Sequence, residues 1–400
     1  MTISEPRALF SMTEGYAPLR NLLGAGDPNV HWIDDRWWMF FGGFQATFRN
    51  NIFAATLAPG EPLHEDMRWR ICTDPNNPRR AQPLVAQPAS GHWDRYGLHE
   101  PSFAEGHDGG AAGSAGDAGA ADLLPGAGTR APVSRPSGAA GSGAQVPGTP
   151  APRRRIYYAG RASRQVVGNT APYSIGMLEL TPAGWRRHPR PVLTGTAEYP
   201  SALGPKVIYA EGKWRMWFRA TPGEAGKGER PLAEIHYTES EDGISNWSTP
   251  RPLHSHHDGF AHAFVLQTPE GFEMLLSKSP NLYGEQHYPE QKLWLSTAKR
   301  PSGDPADWSE PRPVLAADGG AAWYRSGFFG SSLCAPDPGA GPFDERFVFF
   351  TGVHTPVNWP RAAVRRLASR RLPPVPAPYY FTIASARLTL PLPAETGRPR

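Results

Sequence analysis

Short apolar runs alternate with polar turns along this chain, and five segments repeat one order. A small or polar residue, often beside proline, leads into an apolar strand. A Gly, Asp or Glu turn, an aromatic strand, a variable loop, a further strand and a Trp near a Pro-rich exit follow. The third segment is the cleanest copy, with Gly204-Pro205-Lys206-Val207-Ile208-Tyr209, the turn Glu211-Gly212-Lys213, Trp214-Arg215-Met216-Trp217-Phe218, Ile235-His236-Tyr237-Thr238 and Trp247. The first opens on Gly26-Asp27-Pro28-Asn29 and continues to Trp37-Trp38-Met39-Phe40-Phe41. Each supplies about four short strands, the content of a propeller blade. Such units cannot bury their faces alone, and stacking them radially around an axis solves that problem. A two-sheet sandwich is the main rival, but its strands need not come in fours with a Trp per group. The expectation is an all-β, five-bladed β-propeller forming a single domain over 1–400, with approximate blades at 27–86, 93–193, 198–253, 260–315 and 326–390.

One segment breaks the plan. Residues 105–153 are dominated by Gly, Ala, Pro and Ser and hold almost no aromatic residue. Such a segment cannot bury enough apolar surface to fold, so it reads as a disordered, low-complexity insertion in a hairpin of the second blade. An interdomain linker is the rival reading, but Ile156-Tyr157-Tyr158 needs a partner strand upstream. A second departure, Arg361 to Arg371, reads as a short basic helix in a fifth-blade loop.

Composition narrows the class. Hydrophobic residues make up 39% and aromatic residues 11%, with 13 Trp, which is material for a large core and excludes a disordered chain. Lys plus Arg number 41 against 37 Asp plus Glu, a net charge of +4 that is too mild to indicate a nucleic-acid partner. The two cysteines, Cys72 and Cys334, form no disulfide framework or zinc motif. No stretch has the character of a secretory signal or a membrane span, so a soluble, cytoplasmic protein without a membrane partner is expected. The sequence leaves the oligomeric state open.

In a propeller, the starts of the first strands and the loops joining second and third strands line one axial pocket. The first set brings Asp27, His99, Glu100 and His262. The second brings Arg49, Asn50, Asn51, Arg161 and Arg219. Asp27 and Glu100 each precede a proline, which places them at strand starts, at a rim rather than in a core. Two such carboxylates on adjacent blades are what glycoside cleavage requires, one as base or nucleophile and one shaping charge at an oxocarbenium-like transition state. The structural alternative is that they start turns. The arginines suit an anionic group, and alternatively cover aromatic faces. Trp93, Tyr96, Trp323, Tyr324, Phe328 and Phe329 are candidate sugar-stacking surfaces or core residues.

Gly26-Asp27-Pro28-Asn29 followed by the aromatic strand resembles the opening blade of the five-bladed glycoside hydrolases of families 32, 43 and 68. The resemblance implies that Asp27 is the catalytic base or nucleophile. His99-Glu100-Pro101 is similar to the Arg-Asp-Pro of family 32, which implies a transition-state-stabilising role for Glu100. The blade pattern covers most of the chain, and the first motif is its specific part. Two departures follow. Ser102 stands where family 43 has an Asp, and Leu203 stands where these families carry their general acid. Glu198 is the substitute donor within reach in sequence, or else an ordinary surface acid. The resemblance also raises a central metal near His262, which is not favoured, so no cofactor is expected.

The expected function is thus glycoside hydrolase-like, on a carbohydrate or glycosylated small molecule. The candidate catalytic residues are Asp27, Glu100 and Glu198, and the candidate ligand contacts are Arg49, Asn50, Asn51, His99, Arg161, Arg219 and His262. The alternative is a non-hydrolytic propeller binding an anionic or sugar-like ligand in its axial pocket.

Overall fold

The computed structural model describes residues 1–11, 19–107, 152–163, 172–222, 232–336, 344–370 and 373–390. These are nearly all β, with one α-helix, Trp359–Ala368, and one short 3-10 turn, Pro305–Asp307. The strands form antiparallel meanders. The first comprises Leu22–Ile33, Arg36–Gln45, Asn50–Thr56 and Arg70–Ile71. The second comprises Gly97–Gly106, Arg153–Arg161, Tyr173–Thr181 and Gly184–Arg187. A single parallel bridge, Asn50 to Gly97, joins these two sheets. Ser201–Ala210, Lys213–Thr221, Glu234–Ser240 and Arg251–His254 form the third. Phe260–Thr268, Gly271–Lys278, Lys292–Ala298 and Arg312–Ala316 form the fourth.

The fifth contains Phe328–Cys334, Glu345–His354 and Tyr380–Thr389, and it is completed by Thr2–Ile3 and Arg7–Ser11 from the other end of the chain. The sequence pattern assigns these N-terminal residues no strand. Arg7, Ala8, Phe10 and Ser11 pair with Ser385 to Thr382, so both ends of the described chain meet in one sheet.

Local chemistry explains the hairpins. Asp34 and Asp35 both adopt positive φ between Ile33 and Arg36, as do Glu211 and Gly212 between Ala210 and Lys213. Two such residues make the turn whose twist matches paired strands. Strands rich in aromatic and branched residues then stack face to face. Apart from a small cluster of Ala159, Tyr173 and Leu203, five apolar clusters result, each shared by neighbouring meanders. Trp38, Phe40, Phe103 and Tyr158 join the first and second, and Tyr157, Val207 and Trp214 join the second and third. Trp217, Tyr237 and Met274 join the third and fourth, and Phe264, Phe328 and Phe350 join the fourth and fifth. Phe10, Phe41, Phe53 and Phe349 join the fifth back to the first. The innermost strands of the meanders accordingly neighbour one another in the same cyclic order.

Gly106 pairs with Arg153, so both ends of the Gly/Ala/Pro-rich insertion belong to one hairpin, and the paired strands run a little into the 105–153 range. The expected disorder falls on residues 108–151, which lie outside the described residues. The basic stretch forms the expected helix, capped at Asn358 and carrying Arg361, Arg365 and Arg366, with Arg366 buried. No helix among the described residues is long and apolar enough to cross a membrane.

Candidate functional site

Each innermost strand carries one extra residue at the same level. The register slips between Gly26 and Asn29, His99 and Ser102, Leu203 and Lys206, Phe260 and His262, and Phe329 and Ser331. Asp27 (φ 56°), Glu100 (φ 52°) and Gly204 (φ 60°) occupy the first three bulges in left-handed conformation, each before a proline. The bulge explains how proline enters a strand interior, because its missing N–H falls where the ladder is already interrupted. The sequence pattern places Asp27 at a strand start on the rim. It sits instead mid-strand and only 9% exposed, and Glu100 is 2% exposed.

The two acids are neighbours. The backbone N–H of Glu100 donates to the Asp27 carboxylate, and the Asp27 N–H donates to Thr351 Oγ1 at 2.7 Å. Gly42 and Gly330 flank the Asp27 carboxylate, and a side chain on Gly330 would collide with it whereas one on Gly42 would make an ordinary contact. Arg219 donates from Nη2 to Glu100 Oε1 and from Nη1 to His262 Nε2, both at 3.2 Å. His99 Nδ1 lies 3.7 Å from Glu100 Oε2. Lys206, from the third meander, is 3% exposed, and its charge acts on both carboxylates. Asp27, Glu100, Lys206 and His262 are buried and Arg219 and His99 half-buried, and together they form one polar centre.

Its electrostatics follow from burial. Desolvation first, then the Glu100 charge, raises the Asp27 carboxyl to about 7, against the pull of Lys206 and Arg219. Burial lowers the Lys206 ammonium while Asp27 and Glu100 hold it up. Burial lowers His99 to about 4, opposed by Glu100 and aided by Arg161 and Arg219. It also lowers His31 to about 3, with Lys206 adding to the effect, and brings His262 well below its ordinary value. The centre thus holds a carboxyl that changes charge near neutrality among neutral imidazoles and two cations.

The other expected residues divide. Arg161 is buried and donates to Asn50 Oδ1 at 2.8 Å and to the Ser163 carbonyl at 2.8 Å, which places it beside the centre, near His99. Arg49 lies over the Tyr96 ring at 5.7 Å, and Asn51 is fully buried and donates to the Val85 carbonyl at 3.1 Å. Neither contact reaches the acid pair. Glu198 is exposed in the loop before the third meander, where its charge acts on Tyr199. Leu203, at the level of the expected donor, packs with Ala159 and Tyr173. Because His262 Nε2 faces a guanidinium N–H, its lone pair is already engaged. No group of three His, Cys, Asp or Glu among the described residues is placed to hold a metal ion.

The aromatic residues beside the centre differ from those expected. Trp323, Tyr324 and Phe328 are buried in the cluster between the fourth and fifth meanders, and Trp93 stacks on Tyr158. Of the expected set, Phe329 borders the centre, with its ring 4.4 Å from His262 and beneath Arg219. Phe381 and Tyr379 continue the row, Phe381 lying 5.7 Å from Phe329 and Tyr379 lying 5.3 Å from Phe381 between ring centroids. Tyr173 meets His99 edge-on at 5.4 Å, and its charge and that of Tyr283 reach Tyr379. The sequence signal for this set is faint, since these residues lie at strand ends with no motif around them. Lys206 also escapes the sequence pattern, although it stands directly after Pro205 as Asn29 and Ser102 stand after their prolines.

The packed β meanders have the fold of the β-propeller glycoside hydrolases. Among solved structures, a BT0996 RGII complex matches with a TM-score of 0.57 and 13% identity, over 100% of this protein and 96% of the other. Zg3597, a family 117 glycoside hydrolase from Zobellia galactanivorans, matches with a TM-score of 0.53 and 11% identity, over 100% and 95%. A thermostable family-43 glycoside hydrolase matches with a TM-score of 0.52 and 13% identity, over 94% and 95%. At these identities the likeness concerns the fold. No protein-family model matches the chain, and no curated protein matches it.

Proposed function

We propose that residues 1–400 form one five-bladed propeller, closed by the N-terminal strands, that acts on a carbohydrate or glycosylated small molecule at the Asp27–Glu100 centre. The cyclic order of the apolar clusters supports the blade count. The observation that carries the functional reading is the pairing of Asp27 with Glu100 at equivalent bulges of adjacent sheets, with Asp27 poised to exchange a proton near pH 7. In this reading Asp27 is the general base that takes a proton from water attacking the anomeric carbon. Glu100, fixed by Arg219, opposes the positive charge that develops on the sugar ring. Phe329, Phe381 and Tyr379 offer a flat apolar row for a sugar face.

Leu203 and the exposed Glu198 leave the centre without a third carboxylic acid among the described residues, which restricts hydrolysis to substrates whose leaving group departs without protonation. Wild type should therefore cleave activated aryl glycosides with a rate that rises through about pH 7 and then levels, and Asp27→Asn should lose about a hundredfold to ten-thousandfold. If both proteins are equally inert on a panel of aryl glycosides, hydrolysis is refuted. The same absence of a donor favours a second reading, a non-hydrolytic propeller that binds an anionic or sugar-like ligand. Persistent ligand-induced thermal stabilisation of the inert Asp27→Asn protein would support it.

A further inference from the structure

The residue after each bulge proline has a repeated task in the first two meanders. Asn29 Oδ1 accepts from the Phe103 N–H of the next sheet at 2.7 Å, and Ser102 Oγ accepts from the Val207 N–H of the next sheet at 2.9 Å. Lys206 is the third residue of this series, paired with Trp217 as Asn29 is with Phe40 and Ser102 with Tyr157. A lysine cannot accept such a bond. Its Nζ is buried with no hydrogen-bond partner, as are Asp27 Oδ1 and Glu100 Oε2. Lys206 is 3% exposed beside the bulge of its innermost strand, level with Asn29 and Ser102 in theirs, and the charge of Nζ acts on Asp27 and His31 from the first meander, Glu100 from the second and His262 from the fourth.

An isolated buried ammonium is strongly disfavoured, and so are two adjacent buried carboxyls that must both ionise. Placed together, each relieves the other. We propose that Lys206 is a positioning residue for the acid pair: its buried ammonium is the fixed counter-charge that lets Asp27 and Glu100 share one buried site and sets the pH at which that site gives up its proton. The inference deepens the reading of Asp27 as a base, but it concerns the resting protein and survives if no glycoside is cleaved. The charged and titratable groups facing Asp27 are Glu100, Lys206 and Arg219, and those facing Lys206 are Asp27, Glu100, His31 and His262.

The test follows the Asp27 carboxyl by carbon NMR in protein labelled at Asp, with the signal assigned by its loss in Asp27→Asn. Lys206→Met keeps the bulk and removes the charge, and the Asp27 midpoint should rise by about 1 to 3 units, while Lys206→Arg should hold it close to the wild-type value. A midpoint that stays put in Lys206→Met overturns the proposal, because a lysine that only packs would not move it. Should that variant not fold, nitrogen NMR of Lys206 Nζ in wild type decides. Its shift should step at the Asp27 midpoint and lose that step in Asp27→Asn, and a signal flat through the midpoint refutes the role. Aryl glycosidase assays, run separately, bear on the hydrolase reading alone.

Discussion

The acid-bearing bulges and the three others make an instructive pair of regions. All five innermost strands carry the extra residue at one level, yet its identity is Asp27 and Glu100 in two meanders and Gly204, Ala261 and Gly330 in the rest. Gly204 adopts the left-handed conformation without the steric penalty of a Cβ, and Asp27 and Glu100 adopt it with one. That penalty is about 1 to 2 kcal/mol per residue for an ordinary side chain. Glycine would satisfy the backbone at least as well in both places. The bulge is thus a property of the fold, and the carboxylates are an addition that costs stability.

The largest test of this contrast is the pH dependence of stability. The folded Asp27 carboxyl is raised to about 7 from 3.8, so the folded protein holds a proton that the unfolded chain has released between those values. Wild-type stability attributable to this group is present below about pH 4 and is lost as pH rises toward 7. Asp27→Asn removes the dependence. Relative to wild type it should gain up to about 4 kcal/mol between about pH 4 and about pH 7.5, read from urea unfolding at each pH. The lowered histidines His31, His99 and His262 act in the opposite direction in both proteins and cancel in the difference. Parallel stability profiles for the two proteins would show that Asp27 is not buried as a shifted acid.

A second test separates two glycines at equivalent bulges. A Cβ on Gly330 would collide with Asp27 Oδ1 and lie 3.0 Å from the Asp27 Cα, whereas one on Gly204 would meet nothing closer than Glu100 Oε2 at 3.6 Å. Gly330→Ala should cost about 3 kcal/mol and displace Asp27, and Gly204→Ala about 1 kcal/mol from its backbone conformation alone. Equal losses in thermal or urea unfolding would mean that the fifth meander does not pack on the acid as described.

Much of the architecture is legible in the sequence because it repeats. Aromatic strands with Gly or Asp turns recur at a spacing that only four-stranded units satisfy, and the motifs at Asp27 and Glu100 carry their own proline markers. The depth of those acids is not legible, since Asp-Pro in sequence fits a strand start as well as a bulge, and only the register distinguishes them. Where Arg49, Asn51, Glu198 and the candidate stacking aromatics point is not legible for a related reason. A residue at the right strand end can turn toward the loop packed on its own strand, as Asn51 does toward Val85, or toward solvent, as Glu198 does. Arg219 and His262 are legible as members of the site but not as partners of each other. Lys206 is hidden inside a strand whose pattern it fits, and the N-terminal strands are hidden because their partner lies at the far end of the chain.

The smallest effects concern the residue after each proline, where the first two meanders again differ from the third. Asn29 Oδ1 serves both the Phe103 N–H and His31 Nε2, at 2.7 and 2.8 Å, while Ser102 Oγ serves the Val207 N–H. Truncating either acceptor leaves a buried backbone N–H without its partner, and the fold cannot relax around it because both strands are pinned by their own ladders. Asn29→Ala should cost about 2 kcal/mol and Ser102→Ala about 1 kcal/mol in urea unfolding. Amide hydrogen exchange should quicken at Phe103 in the first variant and at Val207 in the second, each without the other. If both amides quicken together in either variant, the seams between adjacent meanders do not open independently, and the acid pair is held by the ring as a whole rather than by its two flanking contacts.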